Sequence, residues 1–542
     1  MAKLLVVRGH SDLSEILEFL NPSLASIDRF GEMKGQSIAV ERVAQALKAK
    51  EKILLYGDYD VDGTCSLAMM RLSLEALGGV VSTYVPDRFA EGYGVSERGI
   101  DHALALKASV MITLDCGITA IATLNRASAA GVDVIICDHH IPGSELPGAL
   151  AILNPQQVDC PFSGKELCGG GVALMLLRGI SMAMGKPKLW EDYLDFAAVA
   201  TCCDIVPLVG INRILVSAGI ERLAAAPHLG FRTLLRNAGH SGRLSVSDVV
   251  FKIGPRINAA GRLAHARLAV DLLIADDVME ADDLAAEIEG LNTHRKQLDK
   301  QTTIEAIGQV QTKDPAGAHA VTVLSDAAWK KGVVGIVASR VMEYQYRPTI
   351  ILAEADGSCT GSARSVKGIN IYEMLKACQG HLEKFGGHAA AAGLTVKAEN
   401  LKLFIDSFER QVRQYMPEGG FKPDVSIDLE VNFADWYDAD RWLLMDQMEK
   451  LEPCGPANMH PLFISRGCQG TGTNIRGQEH LSFTVYQPEA PKSNPSVIAF
   501  RMADCFERVA AGHKFDLVYS IGLNHWQGES QIQLEAKAIV FE

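Results

Sequence analysis

The sequence holds no pair of cysteines spaced as C-x-x-C, although twelve cysteines are scattered through its 542 residues. That absence argues against a standard structural zinc site, and the scatter argues against a disulfide framework. A reducing, cytoplasmic compartment is the simplest expectation. No apolar run approaches the ~18–20 residues that cross a bilayer, and Met1–Arg8 lacks the apolar core of a signal peptide, so no membrane partner is expected. Internal repeats and low-complexity tracts are also lacking. Positive charge is in deficit: 52 Lys+Arg against 65 Asp+Glu give a formal net charge of −13, which at face value disfavours a phosphate-rich partner. What remains is ordinary globular composition, 48% hydrophobic and 22% charged. The length suits about three or four domains.

Amphipathic helical patterns lie around Leu13–Leu20 and Val40–Lys48. Apolar strand candidates then alternate with helical stretches: Ile53–Tyr56, Val80–Val85, Val110–Leu114 and Val134–Ile136, with helices such as Leu67–Leu77 and Ala120–Ala129 between them. Such alternation predicts a mostly parallel sheet covered on both faces. Residues 271–311 hold two Gly and no Pro and predict a long connecting helix. A second α/β unit follows at about 318–415, with strands near Ala320–Leu324 and Thr349–Leu352 and the helix Gly335–Tyr344. Beyond Pro423, short alternating runs at Val425–Val431, Leu481–Val485, Ser496–Phe500, Leu517–Gly522 and Gln531–Val540 predict a small β-barrel.

The sharpest local signal is Gly57-Asp58-Tyr59-Asp60-Val61-Asp62-Gly63, directly after the first strand. Three acids at alternate positions repel one another unless positive charge sits among them. Taken alone, the run is equally a solvated turn, or a calcium loop whose expected Glu is replaced by Met69. Three further sites favour a metal centre. Asp115 follows one strand, Asp138-His139-His140 follows another, and Asp204 sits just past an apolar helix. Ligands of parallel sheets bind outside the carboxyl ends of the strands. Carboxylates mixed with imidazole suit Mn²⁺ or Mg²⁺, and a shared carboxylate can bridge two ions. Cysteines 65, 116, 137, 202 and 203 lie beside these acids and read better as small buried side chains than as thiolate ligands.

A basic stretch, Phe251–Arg267, carries four Lys and Arg residues, and no acid occurs between Asp248 and Asp271. Its small residues would let backbone amides approach a ligand while Arg256, Arg262 and Arg267 offer bidentate phosphate contacts. Gly361-Ser362-Ala363-Arg364-Ser365 and Phe385-Gly386-Gly387-His388-Ala389 read as small-residue turns with one Arg and one His.

In combination these motifs resemble those of the DHH phosphoesterase superfamily, and within it the RecJ-like single-strand-specific exonucleases, from about Lys34 to Glu542. The resemblance implies an α/β protein: an N-terminal helical arm (1–50), a parallel-sheet DHH domain (51–250), a basic motif and long connecting helix (251–317), a second α/β, DHH-associated domain (318–420) and a C-terminal OB-like β-barrel (421–542). It implies two divalent cations, Mn²⁺ or Mg²⁺, held by Asp58, Asp60, Asp62, Asp115, His139 and Asp204, with Asp115 bridging. Asp58 would stand where the pyrophosphatase branch has a leading histidine. His140, with Asp138, would act at the scissile phosphate. Arg88, Arg256, Asn258, Arg262, Ser362, Arg364, Gly387 and His388 would hold DNA. Phe463, Tyr486, Phe500 and Trp526 would be stacking candidates in the barrel. The implied activity is 5′→3′ hydrolysis of single-stranded DNA with a 5′ end to 5′-mononucleotides, in repair and recombination, by a cytoplasmic monomer partnered by a single-strand-binding protein and a helicase. The rivals are a DHH phosphoesterase for nanoRNA or cyclic dinucleotides and a non-catalytic DHH-like replication scaffold.

Two departures, Trp329-Lys330 where the family has Trp-His and Cys454 where it has Phe, bear on substrate details. The chain is expected to lack the further C-terminal domain of some relatives. The charge deficit is also local, because residues 424–452 carry nine acids against two bases. A confined basic channel therefore remains compatible with the net charge.

Overall fold

The computed structural model describes residues 1–526 and 529–541, and the side chains of these except 438–441, 525, 526 and 529. The stacking candidate Trp526 thus has its side chain outside the described residues. The first sheet has strands β1 (Lys52–Gly57), β2 (Val80–Tyr84), β3 (Val110–Leu114), β4 (Asp133–Cys137) and β5 (Ala151–Leu153), all parallel, in the order β2-β1-β3-β4-β5. The central strands β1, β3 and β4 are apolar on both faces, as a sheet covered by helices on both sides requires. Ile53, Leu55, Ile112, Leu114 and Ile135 enter one core, and Leu54, Tyr56, Met111, Val134 and Ile136 the other. The strand order reverses between β1 and β3, which opens a crevice at their carboxyl ends. Three-residue β5 is too short to show a period.

The predicted helix over 271–311 is two helices, Arg267–Ile274 and Val278–Lys313. The break arises because the Asp277 side chain accepts from the amides of Met279 and Glu280, capping a new helix. The second helix runs 36 residues and packs against both α/β units.

The second sheet comprises β6 (Thr322–Asp326), β7 (Thr349–Ala355), β8 (Ser358–Arg364), β9 (Lys384–Gly387) and β10 (Ala391–Lys397), ordered β6-β7-β8-β10-β9, with only β6–β7 parallel. The 361–365 segment and the residues on either side of His388 were expected as turns, and they are mostly strand. Small residues there serve cross-strand approach: a Cβ on Gly361 would lie 1.9 Å from the Ile351 carbonyl oxygen.

The third sheet holds β11 (Leu429–Glu430), β12 (Phe463–Arg476), β13 (His480–Tyr486), β14 (Ser496–Ala499), β15 (Phe515–Trp526) and β16 (Glu529–Phe541), and β12–β15 pairing closes it into a barrel. The expected strand Val425–Val431 shrinks to β11. The acid-rich stretch after it is a helix, Phe433–Glu449, whose Phe433, Trp436 and Met445 enter the barrel core. Phe463 also lies in that core, so it is no stacking platform, whereas Phe500 is exposed beside His480.

The helices Leu13–Leu20 and Gln36–Ala49 appear as expected, preceded by a short helix, Ala2–Val7. Leu4 and Leu5 of that helix pack on Leu451 and Cys454. Beside them Arg213, 2% exposed, donates to the carbonyls of Phe19, Lys450, Leu451, Glu452 and Pro453. One guanidinium thereby joins the N-terminal arm, the first α/β unit and the segment leading to the barrel. Among the described residues, no helix is long and apolar enough to cross a membrane.

Candidate metal centre and phosphate-binding face

The crevice collects every acid and imidazole expected to bind metal. Asp58 follows β1, Asp60 caps the helix Val61–Ala76, and Asp62 lies in its first turn. Asp115 follows β3 at φ 62°, a left-handed conformation that Asp tolerates. His139 Nε2 lies 3.3 Å from Asp115 Oδ1, 3.6 Å from Asp204 Oδ2 and 4.0 Å from Asp62 Oδ2. Three sets of donor atoms lie mutually within 4.8 Å: Asp58, Asp60 and Asp115; Asp62, His139 and Asp204; and Asp115, His139 and His140. Asp115 and His139 each belong to two of these sets.

The chemistry of the donors tests whether a cation fits. Asp58 Oδ1, Asp115 Oδ1, His139 Nε2 and Asp204 Oδ2 are all buried with no hydrogen-bond partner in the protein. Such groups are costly unless something else satisfies them, and hard oxygen with imidazole is the donor set of Mn²⁺ or Mg²⁺. The residues fit the ions. Burial, reinforced by neighbouring carboxylates, raises the Asp58 and Asp115 carboxyls well above their usual range, Asp62 to about 7 and Asp204 to about 9. Burial, and next the adjacent His140, hold His139 down at about 4, leaving it neutral and able to ligate.

Asp62 is also held in place from below: the amides of Gly169 and Gly170, at the start of the helix Gly169–Ala183, donate to its two oxygens at 2.7 and 2.6 Å. Glycine is required there, since a Cβ on Gly169 would lie 2.7 Å from that of Asp115. Asp138 differs from the other acids. It accepts from the amides of Ile118, His139 and His140 and from His140 Nδ1 at 2.7 Å. Despite burial, its carboxyl is lowered, and it raises His140 in turn. Its carboxylate thereby holds the His140 ring at Nδ1. Cys65, Cys116, Cys137, Cys202 and Cys203 have thiols raised by burial, Cys202 to about 12, and none belongs to the donor sets.

The second α/β unit faces this centre. The His388 ring lies 6.4 Å from that of His140, nearly parallel to it. Gly387, at φ 143°, precedes it. Arg364 donates to Ser362 Oγ at 2.6 Å. Arg88 lies over the Tyr59 ring at 4.8 Å. Arg262 is lowered to about 10, first by burial and then by the fields of Arg88, Arg295 and Arg364, and its Nε has no partner. Asn258 is half-buried on the same helix, Gly254–Leu263. Arg256 is buried, its guanidinium pairing with Glu289 at 2.5 Å and donating to the Lys252 carbonyl. The glycines of this motif serve packing, not ligand approach, since Cβ atoms at 254 and 261 would each lie 2.7 Å from Cys203 Sγ and the Tyr59 carbonyl respectively.

Two residues escaped sequence reasoning. The Tyr93 hydroxyl lies 2.9 Å from His140 Nε2, completing a line from Asp138 through His140. Arg295, on the long helix, adds a fourth guanidinium to the cluster, with a buried, unpartnered Nε. A lone Tyr or Arg far along the chain gives no local signal.

Family models match along the chain: the DHH family N-terminal domain at 52–201, the DHHA1 domain at 317–414 and the RecJ OB domain at 427–538. The single-stranded-DNA-specific exonuclease RecJ of Bacillus subtilis is 35% identical over 99% of this chain and 67% of its own length; that of Escherichia coli is 33% identical over 93% and 90%. The chain belongs to the RecJ family. The crystal structure of RecJ from Thermus thermophilus in complex with Mn²⁺ matches with a TM-score of 0.85 at 29% identity, covering 100% of this chain and 76% of that one. A structure of the same protein with Mg²⁺ matches at a TM-score of 0.79 and 28% identity, covering 100% and 74%. RecJ relatives thus cover the barrel as well as the DHH core, which disfavours both a small-substrate phosphoesterase and a scaffold.

Proposed function

We propose that this chain is a metal-dependent exonuclease that hydrolyses single-stranded DNA 5′→3′ to 5′-mononucleotides, in repair and recombination. The observation that carries the reading is the convergence of four buried, unpartnered metal-donor atoms opposite a cluster of arginines. Two Mn²⁺ or Mg²⁺ ions, when bound, supply an activated water and neutralise charge developing on the phosphoryl group. Asp58, Asp60 and Asp115 would hold one ion, and Asp62, His139 and Asp204, with Asp115 shared, the other. His140, its Nδ1 fixed by Asp138, would exchange the Tyr93 hydroxyl at Nε2 for a phosphate oxygen or the leaving group. Arg88, Arg262, Ser362, Arg364, Gly387 and His388, with Asn258 and the added Arg295, hold the 5′ end and the phosphates after it.

In this division of labour residues 51–250 carry the metals, 251–317 connect, 318–420 clamp the 5′ end, 421–542 track the strand and 1–50 brace the assembly. The same reading makes the protein a cytoplasmic monomer working beside a helicase and a single-strand-binding protein, because duplex must be opened before a confined channel can admit one strand. Asp115→Asn or His139→Ala should lower nuclease activity by roughly a thousandfold, the equivalent of about 4 kcal/mol, with the circular dichroism spectrum unchanged. Undiminished activity would reject the site. A 5′-labelled oligonucleotide should release labelled mononucleotide first, and early loss from the 3′ end would reject the polarity.

A further inference from the structure

Asp204 closes the helix Leu194–Cys203, and the next residue, Ile205, takes a left-handed φ of 64°. That position after a helix is usually glycine, and a β-branched side chain there is a genuine backbone outlier. Ile205 is nonetheless 73% exposed, so no packing within the chain accounts for the strain. Three residues later the Leu208 amide donates to the Pro456 carbonyl at 2.7 Å, and Leu208 fills the space beside Gly455. The chain therefore runs from a metal-site carboxylate to the root of the barrel within four peptide units, with Ile205 between them. Across the centre, His140 is likewise followed by an exposed isoleucine, Ile141, at 70%. Asp204 and His140 both neighbour His139, so the two loops meet at one place.

We infer that Ile205 is an apolar contact for the DNA strand on the 3′ side of the metal centre, packing against a nucleobase where the strand passes towards the barrel. The inference rests on the exonuclease reading, which sets the 5′ end among the arginines and the scissile phosphate at the metals. Every base has an apolar face, so a single aliphatic side chain grips any sequence. Exposed strain next to a ligand is what a binding residue held ready for its partner would show.

The test compares Ile205→Gly, Ile205→Asn and Ile205→Leu in the full chain. Binding of a 5′-phosphorylated oligothymidylate of ~20 nucleotides is measured by fluorescence anisotropy with Ca²⁺ in place of Mn²⁺, alongside thermal melting and Mn²⁺ calorimetry. The Gly and Asn variants suit the left-handed backbone and should melt at or above the wild-type temperature and bind Mn²⁺ equally. Their Kd for the oligonucleotide should rise about tenfold, while Leu stays close to wild type. Unchanged Kd in the Gly and Asn variants would overturn the inference. So would a Kd that rises only in step with weakened Mn²⁺ binding, because Ile205 would then act through Asp204. A wild-type chain that binds the strand without cutting it in Mn²⁺ would instead count against the exonuclease reading, and the ratio of binding constants would still decide the role of Ile205.

Discussion

Five carboxylates and a neutral imidazole share one crevice, and their titration makes the metal-free protein sensitive to pH. Asp62 and Asp204 titrate near 7 and 9 in the fold, against an ordinary value of 3.8. Folding therefore takes up protons once pH exceeds about 4, and the stability these protonated groups contribute is lost as pH rises through their folded values. His139, held near 4 against 6.5, works the other way, but only below pH 6.5. Between pH 6.5 and 9 no group of the metal crevice opposes the loss. Melting of the metal-free protein should accordingly fall across that interval, and Mn²⁺ at about 100 times its Kd should restore about 2.7 kcal/mol per site. A melting temperature that stays level from pH 6.5 to 9 without metal would contradict the burial of these acids. Asp138 plays a different part, spending its oxygens on three amides and His140 Nδ1. Asp138→Asn replaces an acceptor by a donor on one side and frees the His140 tautomer. Turnover should drop by about 10–100-fold with Mn²⁺ affinity retained, as calorimetry and initial rates would show.

At the scale of elements, single residues decide how the parts are joined. Arg213 lies buried among five carbonyls, and burial lowers its guanidinium to about 10. Arg213→Ala removes this donor from all five carbonyls, of which Leu451 and Pro453 keep Asn458, and should cost about 3–5 kcal/mol, seen as a lower midpoint in urea. Arg213→Lys should recover only part of this, since one ammonium cannot reach five acceptors in a planar fork. A midpoint within error of wild type for the Ala variant would remove Arg213 as the joint. The metal motifs were legible in sequence because each acid follows a strand or helix whose apolar run is plain, as Val110–Leu114 announces Asp115. Elements dominated by small or charged residues were not. β8 and β9 hid behind Gly361, Gly386 and Gly387, whose absent side chains carry no period. The helix Phe433–Glu449 hid behind its acids, since its apolar residues Phe433, Trp436 and Met445 show only a sparse stripe. Tyr93 and Arg295 were invisible for another reason: they reach the site only through contacts distant in sequence.

For the whole molecule, a formal charge of −13 coexists with a cluster of four arginines beside the crevice. Much of the negative charge is set apart, either in residues 424–452 or in the crevice, where two divalent ions would offset it. Meanwhile burial, and then the nearby Arg88, Arg295 and Arg364, depress Arg262, with Asp60 the acid that opposes them. Binding to single-stranded DNA should therefore weaken steeply with salt despite the acidic whole, since each neutralised phosphate releases counterions and contributes about −0.7 to the slope of log K against log salt. Arg262→Ala and Arg295→Ala should each make that slope shallower by about 0.7, as anisotropy titrations between low and moderate KCl would measure. Arg256→Ala is the informative contrast. Its guanidinium is committed to Glu289, so the substitution should lower the melting temperature and leave the slope alone. A slope that changes for Arg256 and stays fixed for Arg295 would move the strand from the cluster facing the metals to the opposite side of the helix Gly254–Leu263.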